Sequence, residues 1–346
     1  MVTLGADSHK ATHTVVAVDE TGRKLSQVTV KATSDGHLQA LSWASQWSER
    51  RWALEDCRHV SGRLERDLLG AGETVVRVPP RLTAGVRESA RTTGKSDPID
   101  ALAAARAALR EPDLPTATLD GPSREVRLLV AHREDLVGER TRIQNRLRWH
   151  LHELAPGGDH ENHSLNGRKA LQALENQLAN LDGLVAALAL EQVKSIRALT
   201  QRINELEQEI TARTTTLAPS LLALPGCGSL TAAKLVGEVG GVLRFKSRAA
   251  FAMHNGTAPI PVSSGRTDRF RLNRGGNRQV NTALHRIAIT QLRIDGAGKD
   301  YIAKRISLGN TKKEAIRALR RRISDEVFRR MWLDESVAAS RQHLAA

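Results

Sequence analysis

Between residues 2 and 31 apolar and polar positions alternate, and the segments "VTLGAD", "THTVVAVD" and "LSQVTVKA" are rich in Val and Thr. Each predicts a half-buried strand, and the turn at "ETGRK" makes the last two a hairpin. The period then changes. Leu38, Leu41, Trp43 and Trp47 recur at helical spacing, followed by a short apolar strand in "RWALED" and a helix over residues 58–70. A further strand in "ETVVRVPP" is stopped by Pro79 and Pro80. From Ser123 a long helical pattern runs through "SREVRLLV" to "LHEL" and is broken by the polar loop "APGGDHENHS". A second long pattern runs to Leu217, with Leu199, Ile203, Leu206, Ile210 and Leu217 spaced as a heptad seam. That seam suits either an antiparallel helix pair within the chain or a dimerising coiled coil.

The order βββαβα, continuing into a helix opened by Asp97, predicts a mixed sheet with helices packed on its faces. It is the element order of an α/β ribonuclease-H-like domain. Three regions follow: residues 1–118 as this α/β domain, 119–217 as an α-helical coiled-coil middle, and 218–346 as a mainly α C-terminal domain. The third region opens with "LLALPGCGSLTAAKLVGEVG", in which two helical segments flank the turn Pro225-Gly226-Cys227-Gly228. This is a helix-hairpin-helix pattern, whose Gly226 and Gly228 let backbone amides approach a phosphate at a helix N-terminus. The bland alternative is a glycine-capped turn with Ser229 as the next N-cap. Beyond it "TAPIPVSSGRTDRFRLNRGGNRQVN" reads as an ordered loop, and the chain ends in basic helices including "KKEAIRALRRRI".

Charge adds what periodicity does not. The chain carries 52 Lys and Arg against 38 Asp and Glu, a net +14, and from Arg244 to the C-terminus 22 basic residues face 8 acidic ones. The first 243 residues hold 30 of each, so one end of the molecule carries the whole excess. Much of it is arginine, whose planar fork suits phosphate, which points to a polyanion and above all to nucleic acid. An apolar share of 40% excludes a disordered chain, and no run approaches a membrane span. "MVTLGADSHK" has no basic segment leading into an apolar one, so a secretory signal is not expected. Two cysteines, Cys57 and Cys227, with no metal-type spacing, fit buried small hydrophobes in a reducing compartment. The expected location is the cytoplasm, in association with the nucleoid.

"GKSDPIDALAAARAAL" raises a sharper question. Asp97 as N-cap, Pro98 at N1 and Asp100 favouring the helix dipole would account for it as a helix start. The same i, i+3 spacing also puts both carboxylates on one helix face, where they can hold a metal ion. Asp7 ends the first strand and Glu55 the fourth, and in a ribonuclease-H-like sheet these strands are neighbours. Four acids at the places this topology demands favour a divalent-metal site for phosphodiester chemistry, with Mg²⁺ or Mn²⁺ as the ion.

At these residues the chain resembles the DEDD transposases of bacterial insertion sequences, through "GADSHK", "ALED", "KSDPIDA", "LPGCGSLTAAKL" and "APIPVSSG" with "RGGNR". The resemblance implies that the α/β ribonuclease-H-like N-terminal domain is RuvC-like and catalytic, with Asp7, Glu55, Asp97 and Asp100 as the metal ligands and Asp56 outside the family's position. It also implies a catalytic serine before a glycine in the C-terminal domain, which is Ser264 before Gly265, with Ser263 beside it. Arg266, Arg269, Arg271, Arg274, Asn277 and Arg278 would then hold nucleic acid, the arginines stabilising charge on the scissile phosphate. The implied mechanism is strand cleavage through a phosphoserine–DNA intermediate and rejoining to another strand. The implied partners are the DNA of element ends and target, a structured guide RNA from the element, and further copies of the chain as a dimer or tetramer. Two rivals share the same residues. One is a metal-dependent nuclease or junction resolvase that hydrolyses with water; the other is a nucleic-acid-binding scaffold whose acids are structural.

Overall fold

The computed structural model describes residues 1–55, 58–88, 96–119, 121–156, 165, 167–263, 265, 267 and 269–345, which divide into two compact units, 1–120 and 121–346. The first opens with a meander of β1 (Val2–Ser8), β2 (Thr12–Val18) and β3 (Lys24–Lys31), each strand antiparallel to the one before. α1 (Ser34–Ala44) leads to β4 (Arg50–Glu55), parallel to β1, and α2 (Arg58–Gly70) leads to β5 (Val75–Val78), parallel to β4. α3 (Pro80–Glu88) and α4 (Asp97–Arg110) follow. The sheet order β3-β2-β1-β4-β5 is the ribonuclease-H-like arrangement.

β1 and β2 are buried at almost every position and not only on alternate ones, because helices cover both faces of the sheet; β3, on the edge, keeps the polar alternation. One face sets Leu4, Ala6, Val15, Trp52 and Leu54 against Ala40, Ala44, Leu64 and Leu68 of α1 and α2. The other receives the alanine-rich side of α4, with Ala101 and Ala105 on Val16 and Val18, and Ala103 and Ala107 on Ala53 and Val76. Here two backbones nearly touch. A Cβ on Gly5 would lie 2.1 Å from the Ala101 carbonyl oxygen, so the glycine in β1 and the alanines in α4 together set the helix down on the strand. The start of α4 falls one residue earlier than its capping pattern suggests. Ser96 is the N-cap, without a side-chain cap bond, and Asp97 is the first helical residue ahead of Pro98. Asp97 is therefore not the cap residue.

The second unit begins with α5 (Pro122–Leu154), α6 (Arg168–Leu178) and α7 (Leu184–Leu217). The second long helical pattern is thus two helices, parted at Gly183, whose φ of +108° ends the run. α5 and α7 are antiparallel: Arg213 pairs with Glu125, Arg133 donates to Glu207 at 3.0 Å and Arg140 to Thr200 at 3.2 Å. Ile203, Leu206 and Ile210 of the heptad seam are buried within this unit, Ile210 among Val126, Val130 and Ala233. α8 (Pro219–Leu222) is a single turn and α9 (Ser229–Val239) starts from Gly228, not Ser229, as its N-cap. α10 (Arg248–His254), β6 (Ile260–Pro261), β7 (Phe270–Arg271), α11 (Arg278–Arg293), α12 (Ala297–Ser307) and α13 (Lys312–Ala345) complete the unit around Leu235, Phe251, Leu284, Ile287 and Val327. The glycine- and arginine-rich loop is therefore folded back as a short hairpin. Cys227 is buried and free, its thiol pushed up to about 12 by burial; Cys57 lies outside the described residues. Among the described residues no helix is long and apolar enough to cross a membrane.

Candidate active site

Side chains alternate along a strand, so Asp7 falls on the face of β1 that Gly5 opens to α4. Its carboxylate is nearly buried, with 10% of the side chain exposed. Just past the strand, His9 turns its Nε2 to within 3.1 Å of Asp7 Oδ2 and 3.3 Å of Asp97 Oδ1. Donor atoms of Asp7, His9 and Asp97 all lie within 4.8 Å of one another, close enough to share one ion. Glu55 ends β4 beside β1 and accepts a 2.8 Å hydrogen bond from Thr83 Oγ1 of α3. Asp100, one turn into α4, accepts from Arg87 of α3 at 2.6 Å.

The electrostatics join these pieces. Burial raises the Asp7 carboxyl above the ordinary range; His9 pulls it down, and the charges of Asp100, Asp97 and Glu55 push it up again. Arg87 is held charged chiefly by its bond to Asp100, with Glu55 and Asp7 adding to the effect. The structure therefore brings Asp7, Glu55, Asp97 and Asp100 into one field, from two parallel strand ends and one helix N-terminus. A buried carboxylate made costly to ionise by its own neighbours is relieved by a cation. Hard oxygen donors with a single imidazole suit Mg²⁺ or Mn²⁺, so the residues present fit such an ion.

Three members of this site carry no signal in the chain's periodicity. His9 stands in "SHK", where the alternation of β1 simply breaks, while Thr83 and Arg87 lie on a helix that follows the two prolines. The packing of α3 brings Thr83 to Glu55 and Arg87 to Asp100, while His9 reaches Asp7 from two residues along the chain. Asp56 lies outside the described residues.

The second unit carries the remaining candidates. Ser264 and Arg266 lie outside the described residues; Ser263 is exposed in the connection between β6 and β7, and Gly265 has φ +57°. Arg269, Arg271, Arg274 and Arg278 are exposed. Asn277 is committed locally: its Oδ1 caps α11 by accepting from the amides of Gln279 and Val280, and its Nδ2 donates to Glu238 at 2.9 Å. Gly226 takes φ +83° with a Cβ position 3.0 Å from the Ile287 carbonyl oxygen, so the turn needs glycine there on both counts. Gly228 caps α9 with no side-chain bond, and its Cβ position faces open space. An open groove of about 850 Å³ runs along Pro225, Gly226, Cys227 and Gly228 and is lined on its far side by His285, Arg286 and Arg293.

Comparison with known proteins bears on both units. A family model described as Transposase, of the DEDD IS110 type, matches residues 4–156, and one described as Transposase IS116/IS110/IS902 family matches residues 218–303. The chain is 29% identical to the Insertion element IS116 uncharacterized 44.8 kDa protein of Streptomyces clavuligerus over 373 residues, covering 94% of this chain and 93% of that protein. It is 26% identical to the Insertion element IS900 uncharacterized 42 kDa protein of Mycobacterium paratuberculosis over 371 residues, covering 93% of each. Among solved structures, T. thermophilus RuvC in complex with Holliday junction substrate aligns at 15% identity with a TM-score of 0.28, over 34% of this chain and 99% of that one. The fold rests on the sheet order and not on that alignment.

Proposed function

The chain belongs to the IS116/IS110/IS902 family of transposases, and from this membership and the acidic site we propose that it is a DNA recombinase that cuts and rejoins strands. The observation that carries the reading is Asp7, nearly buried at the end of β1 within reach of His9 and Asp97, its pKa raised first by that burial and then by the charges of Asp100, Asp97 and Glu55. In this reading Asp7, Glu55, Asp97 and Asp100 hold Mg²⁺ or Mn²⁺. A divalent ion there supplies positive charge against the scissile phosphate and its leaving oxygen. Arg87 holds Asp100 in place, and Thr83 does the same for Glu55.

Ser264 is the nucleophile. Its Oγ forms a bond to phosphorus as the bond to one strand oxygen breaks; the serine proton ends on the departing hydroxyl, and the phosphoserine–DNA ester keeps the energy needed for rejoining. Arg269, Arg271, Arg274 and Arg278, with Arg266, bind the phosphates on either side. The turn at Gly226 and Gly228 offers backbone amides to the same polyanion. A structured RNA from the element pairs with the DNA while the basic surface reads its backbone, and the active species is a homo-oligomer.

Trapping tests this. The full chain is incubated with labelled element-end DNA, Mg²⁺ and RNA transcribed from the element's flank, then denatured. A DNA–protein adduct lost in Ser264→Ala and kept in Ser263→Ala is the expected result. Cleavage that depends on Asp7 and Asp100 without any adduct would assign the chain to hydrolytic nucleases instead. DNA binding unaffected by Asp7→Asn, with no cleavage in any condition, would favour the scaffold.

A further inference from the structure

The hairpin of β6 and β7 has two unlike faces. Pro261 pairs with Phe270 and Ile260 with Arg271, and the ladder continues through the Val262 amide donating to the Arg269 carbonyl at 2.8 Å. Alternation puts Pro261 and Phe270 on one side, and Arg269 and Arg271 with Ile260 and Val262 on the other. Phe270 is 67% exposed, and Leu272, two residues on, is 53% exposed. A two-residue ladder is a marginal structure, and an exposed phenyl ring and leucine on it gain nothing from folding. The exposed apolar edge therefore calls for an occupant.

The surroundings specify its chemistry. Arg269 and Arg271 flank Phe270 directly, and Arg274 and Arg278 follow, all exposed, within the part of the chain that carries the entire net positive charge. A protein partner with an apolar surface has no need of four arginines, whereas a polynucleotide offers both phosphates and flat apolar bases. The connection between β6 and β7 also holds Ser263 and Ser264. We propose that Phe270, backed by Leu272, is a wedge that stacks on an unpaired DNA base next to the scissile phosphate while Arg269 and Arg271 grip the backbone around it. This site rests on the recombinase reading and adds what that reading lacks, a preference for DNA already opened at the step to be cut. Aromatic wedges of this kind gain stacking energy only when a base leaves the helix, so they distinguish distorted from paired DNA.

The test compares affinities for two labelled duplexes of the same sequence, one fully paired and one carrying a three-nucleotide bubble, with single-stranded RNA of that sequence as a third probe. The full-length protein is expected to bind the bubble more tightly than the paired duplex. Phe270→Ala should remove about ten- to a hundredfold of bubble affinity, the range of one base–aromatic stack, and leave paired-duplex binding unchanged. Phe270→Trp should keep the preference and Phe270→Leu should lose most of it, which separates stacking from bulk. Because Phe270 is exposed, all three variants should match the parent in Tm. A bubble preference that survives Phe270→Ala, or equal losses on both duplexes, overturns the wedge while leaving the recombinase reading intact. A loss confined to the RNA probe overturns it in favour of RNA stacking. Failure of the parent protein to bind either DNA, with RNA transcribed from the element's flank also supplied, overturns the recombinase reading itself.

Discussion

His9 Nε2 lies 3.3 Å from the Asp97 carboxylate, joining the residue just past β1 to the first residue of α4. Because the same nitrogen is 3.1 Å from Asp7, His9 sits where a third donor to a shared ion belongs. An imidazole nitrogen favours transition ions over Mg²⁺. His9→Ala is therefore expected to weaken Mn²⁺ binding by about tenfold or more and Mg²⁺ binding by less. Free Mn²⁺ followed by electron paramagnetic resonance, with Mg²⁺ measured in competition, reads both; equal losses for the two ions would remove His9 from the ligand set.

Arg87 should act in opposite directions on stability and on metal binding. It neutralises Asp100 at 2.6 Å and lowers the field at Asp7 and Glu55. Arg87→Gln leaves the acids facing one another, so the metal-free protein should lose about 1–3 kcal/mol, within the ordinary range of single substitutions. With its competitor gone, a divalent cation should bind several-fold more tightly and recover the lost stability. Urea unfolding with and without Mn²⁺ checks both signs.

Gly5 tests how the site is positioned. A methyl group there would meet Ala101 O at 2.1 Å and Ala105 N at 2.5 Å, both backbone atoms of a helix that cannot turn aside. Gly5→Ala should cost about 3 kcal/mol or more, at the upper end for overpacking, and the protein that remains folded should bind Mn²⁺ poorly, because α4 carries Asp97 and Asp100 away from Asp7. Normal metal affinity in a destabilised variant would separate the packing from the site.

His13 predicts an acid-sensitive fold. It is buried between β2 and α1, with Nε2 3.2 Å from His37 Nε2, and burial, then the charges of His37 and His9, lower its pKa to about 4. Lowered below its unfolded value of 6.5, the group binds protons better when the chain is unfolded. Its effect is absent above pH 6.5 and grows as the pH falls towards 4, reaching on the order of 3 kcal/mol. The urea midpoint should decline over that window, and His13→Gln should flatten the decline. An identical slope in the two proteins would show that His13 does not carry it.

Much of this was legible along the chain because the signals are local. Strand and helix periods depend on which side of an element faces water, so the five strands, the alanine helix and the two long helices appear where polarity alternates or steps by threes and fours. Asp7 and Glu55 stand out as charged residues where apolar strand runs end, and Asp97 and Asp100 as a pair three apart at the head of the alanine helix. One break was missed: Gly183 carries little weight in a hydrophobic pattern, yet its positive φ separates α6 from α7.

What the sequence alone determined about this protein is the order of its elements, the places of its four acids and the end of the chain that carries the charge, since all three are properties of neighbouring residues. Tertiary structure decided the rest. Whether the heptad seam is buried inside the unit depended on Ile210 finding Val126, Val130 and Ala233. Whether Asp97 caps its helix or turns to His9 depended on Ser96 taking the cap position. And Arg87 reaches Asp100, and Thr83 reaches Glu55, through the packing of α3, while Gly5 lets α4 settle onto β1 and bring Asp97 to His9. Contacts between elements far apart in sequence follow from shape and closeness of approach, and neither quantity is carried by the pattern of polarity along the chain.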